Sequence, residues 1–169
     1  DINFSDVYFV TNQDGIKYAL GAIKNVGIES MKELVAERNK NGPFKSFDNF
    51  LNRVNNSVAN KKTLEALACA GVFDSFGIKR ENIFNQSNEI VKALKDFKLK
   101  FDSNQGDIFG NNDTFTYKFF KTDEWTEAIK LIKEFEIVGF YFSGHPLSAY
   151  KQSLIENNVR DYVTIHKSK

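Results

Sequence analysis

The sequence predicts a mainly α fold that begins with one short β-hairpin. Hydrophobic residues make up 41% of the 169-residue chain and charged residues 27%, a balance typical of a folded globular protein. Apolar residues recur three and four positions apart through most of the chain, whereas only its start alternates. Short helices joined by tight turns containing Gly, Asn and Pro are therefore expected after the hairpin.

The β-hairpin is predicted from two β-prone runs, residues 7–10 and 16–18, on either side of Asp14-Gly15. An Asp-Gly pair between such runs favours the tight turn of an antiparallel hairpin.

The helices are predicted from apolar spacing and from residues that start or stop a helix. Asn41-Gly42-Pro43 closes the first helix, because glycine accepts a left-handed cap and proline lacks a donor. Ser46 is expected to cap the second helix at its start. The predicted helices cover residues 31–38, 47–54, 64–70, 80–98, 122–137 and 147–155.

The composition excludes several classes of protein. A net charge of +1 excludes a strongly basic surface that wraps nucleic acid, so any DNA contact is expected to be local. The single cysteine, Cys69, excludes a disulfide framework or a cysteine-based zinc site and favours a reducing, cytoplasmic location. No apolar run is long enough for a membrane span. Because the chain opens at Asp1 without a methionine, we expect a piece of a longer protein.

The sequence contains no pattern typical of a catalytic or metal site. It has two histidines and no zinc-protease, phosphate-loop or serine-hydrolase motif. The carboxylate pairs Asp123-Glu124 and Glu134/Glu136 are expected to be solvated on a helix face rather than to bind metal. Cys69 is expected to be a small buried residue. We therefore expect no cofactor and no chemistry of the chain's own.

A helix–hairpin–helix pattern occupies residues 20–35. Apolar residues at helical spacing lead into the turn Lys24-Asn25-Val26-Gly27, and a second amphipathic helix follows. The tight turn requires a positive φ, which Gly27 supplies most easily and Asn25 next. Val26 is expected to fill the space between the two helices.

This turn is a candidate phosphate-binding site. The backbone N–H groups of residues 26–28 are expected to be free and to point outward, with the dipole of the second helix behind them. Such a site binds a phosphate oxygen whatever the base sequence, and Lys24 adds charge beside it. The candidate DNA-binding residues are Lys24, Asn25, Val26, Gly27 and Ile28. The alternative is an αα-hairpin that only packs against the domain.

A second, degenerate hairpin is predicted around Ala70-Gly71-Val72. Lys79 and Arg80 follow it closely, so Gly71, Lys79 and Arg80 are further candidates for DNA binding. Two hairpins would hold the two strands across a minor groove. The alternative is a plain helix junction with Phe73 and Phe76 in the core.

Residues 102–116 have the polar, Gly- and Asn-rich composition of a loop. Within it, Gln105-Gly106-Asp107-Ile108-Phe109 fits the pattern Gln-x-x-aliphatic-Phe. Exposing Ile108 and Phe109 to water forgoes about 1.5–3 kcal/mol of burial each, so either they fold back onto the domain or a partner's pocket receives them. A loop with one glutamine and two apolar anchors favours binding as a peptide in a groove.

Three stretches together resemble a known family. Residues 18–27, 70–77 and 139–147 closely resemble, in order and spacing, the C family of bacterial replicative DNA polymerases, the family of the DNA polymerase III alpha subunit. The similarity covers nearly the whole chain. It places the chain after the fingers of the polymerase, in the tandem helix–hairpin–helix region.

The resemblance implies three units. Residues 1–100 would form the tandem helix–hairpin–helix domain, which holds duplex DNA through its phosphates. Residues 101–118 would carry the motif that docks into the β sliding clamp, formed by Gln105, Asp107, Ile108 and Phe109. Residues 119–169 would form a helical segment leading towards an OB-fold domain, with His145 in a structural role.

The resemblance also implies that the chain is part of a DNA-directed DNA polymerase, a nucleotidyltransferase, without containing its catalytic residues. The palm carboxylates that bind Mg²⁺ in this family lie upstream, outside this chain. Other subunits of the replicative holoenzyme are possible partners, and no membrane is involved.

The resulting hypothesis is a non-catalytic segment that binds duplex DNA and tethers the polymerase to its clamp for processive replication. One alternative is a free-standing helix–hairpin–helix module of a DNA repair enzyme, which would bind DNA without a clamp. The other is a structural spacer, in which both hairpins pack internally and the apolar pair of the loop joins the core.

Overall fold

A computed structural model describes residues 1–13, 15–103, 114–159 and 165 of the chain. These residues are mainly helical after one small β-sheet, which confirms the predicted fold class. None of the described helices combines the length and the apolar composition that crossing a membrane requires. The elements are β1 Val10–Asn12, β2 Gly15–Lys17, α1 Ile28–Asn41, α2 Phe47–Arg53, α3 Lys61–Cys69, α4 Arg80–Asn85, α5 Ser87–Ser103, α6 Glu127–Val138 and α7 Lys151–Glu156, with 3₁₀ turns at Leu20–Ala22, Asp74–Phe76 and Pro146–Tyr150.

The predicted β-hairpin is present at the start of the chain. β1 and β2 pair in antiparallel register, with Val10 opposite Lys17 and Asn12 opposite Gly15. Gly15 has φ +131°, a conformation that a residue with a Cβ adopts rarely.

Side-chain caps determine where three of the helices begin. Ser46 accepts a hydrogen bond from the Asn49 amide at 3.1 Å, as predicted for the start of α2. Asn60 caps α3 in the same way, and Thr126 caps α6. The helix predicted over 122–137 therefore begins only at residue 127.

The helix predicted over 80–98 is interrupted at Gln86. This side chain is fully buried, and its amide donates to the Phe120 carbonyl at 2.9 Å and accepts from the Phe120 amide at 3.1 Å. The prediction of a single helix is wrong. Gln86 lies between α4 and α5, and its contact with Phe120 involves a segment 34 residues later in the chain.

Residues 114–122 form an irregular segment, here called the strap, that lies along α2 and the junction of α4 and α5. Asn52 donates to the Phe115 carbonyl at 2.7 Å and accepts from the Phe115 amide at 2.9 Å. Asp48 accepts from the Tyr117 amide at 3.1 Å. Together with Gln86, these side chains replace the backbone pairing that a neighbouring strand would supply.

Phenylalanine rings fill the centre of the core. Phe47 packs edge-to-face on Phe73, with ring centroids 5.1 Å apart, and Phe44 packs similarly on Phe50 at 5.5 Å. All four rings are buried. Edge-to-face pairs of this kind add to the stabilisation gained from burial, so α2 and the turn after α3 are held tightly together.

The C-terminal third divides into two parts. α6 packs on α3 and buries Leu131 and Glu134. Residues 139–153, by contrast, are all exposed. α6 thus lies against α3, and this places it beside the hairpins described next.

Candidate nucleic-acid interface

The first hairpin connects the 3₁₀ turn Leu20–Ala22 to α1, and its positive φ lies at Asn25. Asn25 has φ +67°, whereas Gly27 has φ −76° and is the N-cap of α1. The prediction that Gly27 supplies the positive φ is wrong. Asparagine tolerates the left-handed region, which leaves Gly27 free to start the helix, where its carbonyl accepts from the Met31 amide at 3.1 Å.

The free amides of this hairpin lie one position later than predicted. The Val26 amide donates to the Ile23 carbonyl at 3.4 Å, so it is not available. No described residue accepts a hydrogen bond from the amides of Gly27, Ile28 and Glu29, as expected for the start of a helix. Gly27 adds no side chain in front of them.

Of the other candidate residues in the first hairpin, one packs against the core and the rest are exposed. Val26 is half-buried against the core, as a residue between two helices should be. Lys24 and Asn25 are exposed, and Ile28 remains 42% exposed. The backbone amide of Lys24 donates to the Ile137 carbonyl at 3.1 Å, so the turn is attached to the end of α6.

Gly21 secures this hairpin to the N-terminal segment. Its amide donates to the Val7 carbonyl at 3.0 Å. A Cβ at this position would lie only 2.8 Å from that carbonyl oxygen. Glycine is therefore required here by a close approach of two backbones.

The second hairpin connects α3 to α4 and has positive φ at Gly71 and Gly77, +69° and +70°. The Gly71 amide donates to the Ala68 carbonyl at 3.0 Å and is used within the turn. A Cβ on Gly71 would overlap the guanidinium of Arg80. Phe73 lies in the core, as expected for a helix junction.

Lys79 and Arg80, predicted as a pair of cations beside this hairpin, face different environments. Lys79 is exposed and forms an ion pair with Glu124. The side chain of Arg80 is only 8% exposed, and it donates to Asp74 at 2.6 Å and to Glu134 at 3.0 Å. Of the two, only Lys79 is open to a ligand.

Glu134 is the buried partner of Arg80, with a side chain only 1% exposed. Its carboxylate accepts from the amides of Phe142 and Ser143, at 2.5 and 2.7 Å, and from the Ser143 hydroxyl. The prediction that this carboxylate is solvated is wrong. A sequence signal existed, because Glu134 lies three residues after Leu131 and three before Ile137, on the stripe of α6 that faces inward.

We call Asp74, Arg80, Glu134 and Ser143 the Arg80–Glu134 network. Burial alone would raise the pKa of Glu134, but the hydrogen bonds from Ser143 and Arg80 outweigh it, so that pKa is lowered. Burial likewise opposes the charge of Arg80, and the carboxylates of Asp74 and Glu134 raise its pKa overall. Both groups are therefore charged inside the protein.

The candidate clamp-binding residues Gln105, Asp107, Ile108 and Phe109 lie outside the described residues. They lie in the chain between α5 and the strap.

The described residues contain no group of three or more His, Cys, Asp and Glu side chains placed to hold a metal ion. His145 accepts from the Leu147 amide at 3.1 Å and so caps the 3₁₀ turn that follows it. Burial raises the pKa of Cys69 to about 12, so its thiol stays protonated at neutral pH and is a poor nucleophile.

A protein-family model described as a helix-hairpin-helix motif matches residues 1–83. This match runs from the start of the chain into α4 and includes both hairpins.

Similarity to known proteins extends well beyond that motif. The chain is 38% identical over 156 residues to DNA polymerase III subunit alpha of Mycobacterium tuberculosis. The aligned region covers 88% of this chain and 13% of the relative. The corresponding protein of Borreliella burgdorferi is 35% identical over 161 residues, 91% of this chain and 14% of the relative. That of Treponema pallidum is 34% identical over 164 residues, 95% and 14% respectively. The resemblance to this family is thus confirmed, and the chain spans 13–14% of the length of these relatives.

Proposed function

We infer that this chain is a non-catalytic part of a DNA polymerase III alpha subunit. The basis is its similarity, over about nine-tenths of its length, to one segment of such subunits. The chain binds duplex DNA through the phosphate backbone, without sequence preference, and tethers the polymerase to the β sliding clamp. Nucleotide transfer belongs to residues outside this chain. The observation that carries the DNA-binding part is the first hairpin, whose exposed turn precedes two free amides of α1.

The chemistry of the first hairpin favours a phosphate. The amides of Ile28 and Glu29 begin a helix of fourteen residues, whose dipole favours an anion at that end. Lys24 contributes an exposed ammonium. The carboxylate of Glu29 opposes an anion, but Lys32 binds it at 2.8 Å and offsets its charge.

The second hairpin contributes less directly to the proposed interface. Lys79 is its exposed cation, whereas Gly71 and Arg80 keep the turn in shape. The proposed contacts are therefore Lys24, Asn25, Gly27, Ile28 and Lys79. With few phosphates neutralised, binding should be weak and should fall steeply with salt.

The clamp contact is proposed for Gln105, Asp107, Ile108 and Phe109. Ile108 and Phe109 would act as apolar anchors and Gln105 as an orienting hydrogen-bonder. The attached strap supports this proposal, because it holds one end of the intervening segment on the domain. A second attachment raises processivity, since rebinding becomes effectively intramolecular.

Fluorescence anisotropy with two labelled duplexes of unrelated sequence tests the DNA contact. Wild-type chain should bind both equally, with an affinity that falls as NaCl rises. Lys24→Glu should weaken binding to both duplexes. Lys95→Glu makes the same change of charge at an exposed position of α5 and serves as the control for net charge, so it should weaken binding less than Lys24→Glu. Salt-independent binding, or none, would refute the DNA contact.

A calorimetric titration with the bacterial β clamp tests the tether separately. Phe109→Ala should abolish the heat of binding, whereas Asn111→Ala, in the same segment, should retain it. Equal binding by both variants would move the clamp contact elsewhere, and the absence of wild-type binding would favour the free-standing DNA-binding module.

A further inference from the structure

α6 contacts both hairpins within a single helical turn. The first hairpin reaches it through the Lys24 amide on the Ile137 carbonyl, and the nearby Tyr18 hydroxyl donates to the Val138 carbonyl at 3.1 Å. The second hairpin reaches it through Arg80 on Glu134. The two hairpins are thus held against one rigid element.

The attachment of the first hairpin uses groups that a helix end leaves free. The carbonyls of Ile137 and Val138 belong to the last turn of α6, which Gly139 ends with φ +92°. Such carbonyls lack partners within their own helix. The hairpin backbone satisfies one and Tyr18 the other, which fixes the end of α6 against the first hairpin.

The second hairpin is attached to α6 by a buried ion pair whose hydrogen bonds fix the orientation of Arg80. The planar guanidinium of Arg80 donates to Asp74 on one side and to Glu134 on another. Glu134 in turn accepts from Ser143, which also accepts from Arg80 at 3.2 Å. Removing one charge from such a group leaves its partner buried and unpaired.

We propose that Glu134 is a positioning residue for duplex binding, which sets the relative placement of the two hairpins through Arg80. Its burial prevents any contact of its own with DNA. Lys79 directly precedes Arg80, so a shift of Arg80 moves the exposed cation of the second hairpin. This inference rests on the proposed DNA-binding function, and it gives a role to the segment 139–147, which that function leaves without one.

The salt dependence of binding distinguishes positioning from stability. The slope of log affinity against log salt counts the phosphates that are neutralised. If Glu134 positions the second hairpin, its loss removes a contact, and the slope of the folded variant falls by about one. A residue that only stabilises the fold lowers the melting temperature and leaves that slope unchanged.

The test compares Glu134→Gln with Glu136→Gln in the 169-residue chain. Both remove one negative charge from α6, but Glu136 is exposed. Duplex affinity is measured by anisotropy over a series of NaCl concentrations, at a temperature where circular dichroism shows both variants folded. We expect weaker binding and a smaller slope for Glu134→Gln only.

Equal affinities and slopes for the two folded variants would overturn the proposal. If Glu134→Gln does not fold, Ser143→Ala decides, because it removes a hydroxyl shared by both charges and keeps the charges themselves. A folded Ser143→Ala with wild-type slope and affinity would likewise overturn it. Absence of binding by the wild-type chain would instead refute the proposed function.

Discussion

The two hairpins have a similar layout and use their polar groups in opposite ways. In the first, Asn25 takes the positive φ, and the amides of Ile28 and Glu29 remain without a partner among the described residues. In the second, Gly71 takes the positive φ, and the neighbouring arginine turns inward to Asp74 and Glu134. The first turn leaves backbone amides at the start of α1 unpaired among the described residues, and the second is organised around a buried guanidinium.

This difference teaches that a cation beside a hairpin is not by itself a nucleic-acid contact. Lys79 and Arg80 are neighbours in the chain, yet one is exposed and the other buried. What separates them is Glu134, which lies 54 residues after Arg80. A buried arginine needs such a partner, whereas an exposed lysine does not.

The strongest test of the comparison is Arg80→Ala. It leaves the carboxylate of Glu134 buried without its partner, and we expect a loss of about 3–5 kcal/mol in the free energy of unfolding. Lys79→Ala, one position earlier, should leave the denaturation midpoint unchanged. Urea denaturation measures both, and similar midpoints for the two variants would show that Arg80 is no more structural than Lys79.

A smaller effect is expected from glycine substitutions in the second hairpin. Gly71 and Gly77 share nearly the same φ, but space is open around Gly77. Gly77→Ala should cost only the left-handed backbone, about 1–2 kcal/mol. Gly71→Ala should cost more, because its methyl group displaces Arg80. Equal melting temperatures for the two variants would contradict the close approach.

The acid sensitivity of the chain should report the Arg80–Glu134 network. Because the pKa of Glu134 is lowered in the folded state, its contribution to stability is complete above the ordinary carboxyl pKa of 4.5. It is lost as the pH falls below that value through the folded pKa. Urea midpoints measured between neutral pH and pH 3 should fall less steeply for Glu134→Gln than for Glu136→Gln. Parallel curves would show that Glu134 does not titrate with folding.

The smallest expected effect concerns Lys79, whose ion pair with Glu124 competes with phosphate. Glu124→Gln should release the ammonium and raise duplex affinity slightly at low salt. Asp123→Asn removes the same charge one residue away and controls for net charge. If the two variants bind alike, the ion pair does not restrain Lys79.

The features predicted correctly from sequence depend on near neighbours in the chain. Ser46 caps α2 by accepting from the Asn49 amide three residues later, and β1 pairs with β2, which follows it closely in the chain. The errors arise from distant partners. Gln86 separates two helices because it binds Phe120, and Glu134 is buried because Arg80 is there. No local pattern contains either partner.

The choice between Gly27 and Asn25 is an error of another kind, because both residues lie in the same short turn. Glycine adopts a positive φ more easily than asparagine, but glycine is also accepted at an N-cap. Here Gly27 takes the N-cap and Asn25 takes the positive φ. Conformational preference alone ranked the two residues wrongly. Turns are present at both positions that the sequence indicated, and the exposure of the candidate residues depends on the tertiary structure; their binding to DNA stays a prediction.

The strap also bears on the order in which the chain folds. Its hydrogen bonds join residues 63 and 69 positions apart, Asn52 with Phe115 and Asp48 with Tyr117. Contacts of such separation require closure of a long loop, which is slow compared with forming a helix. α1 to α3 can therefore assemble before the strap docks. Of the contacts with α6, Arg80 to Glu134 spans 54 residues and Tyr18 to Val138 spans 120, so on the same argument the second hairpin gains its contact with α6 before the first.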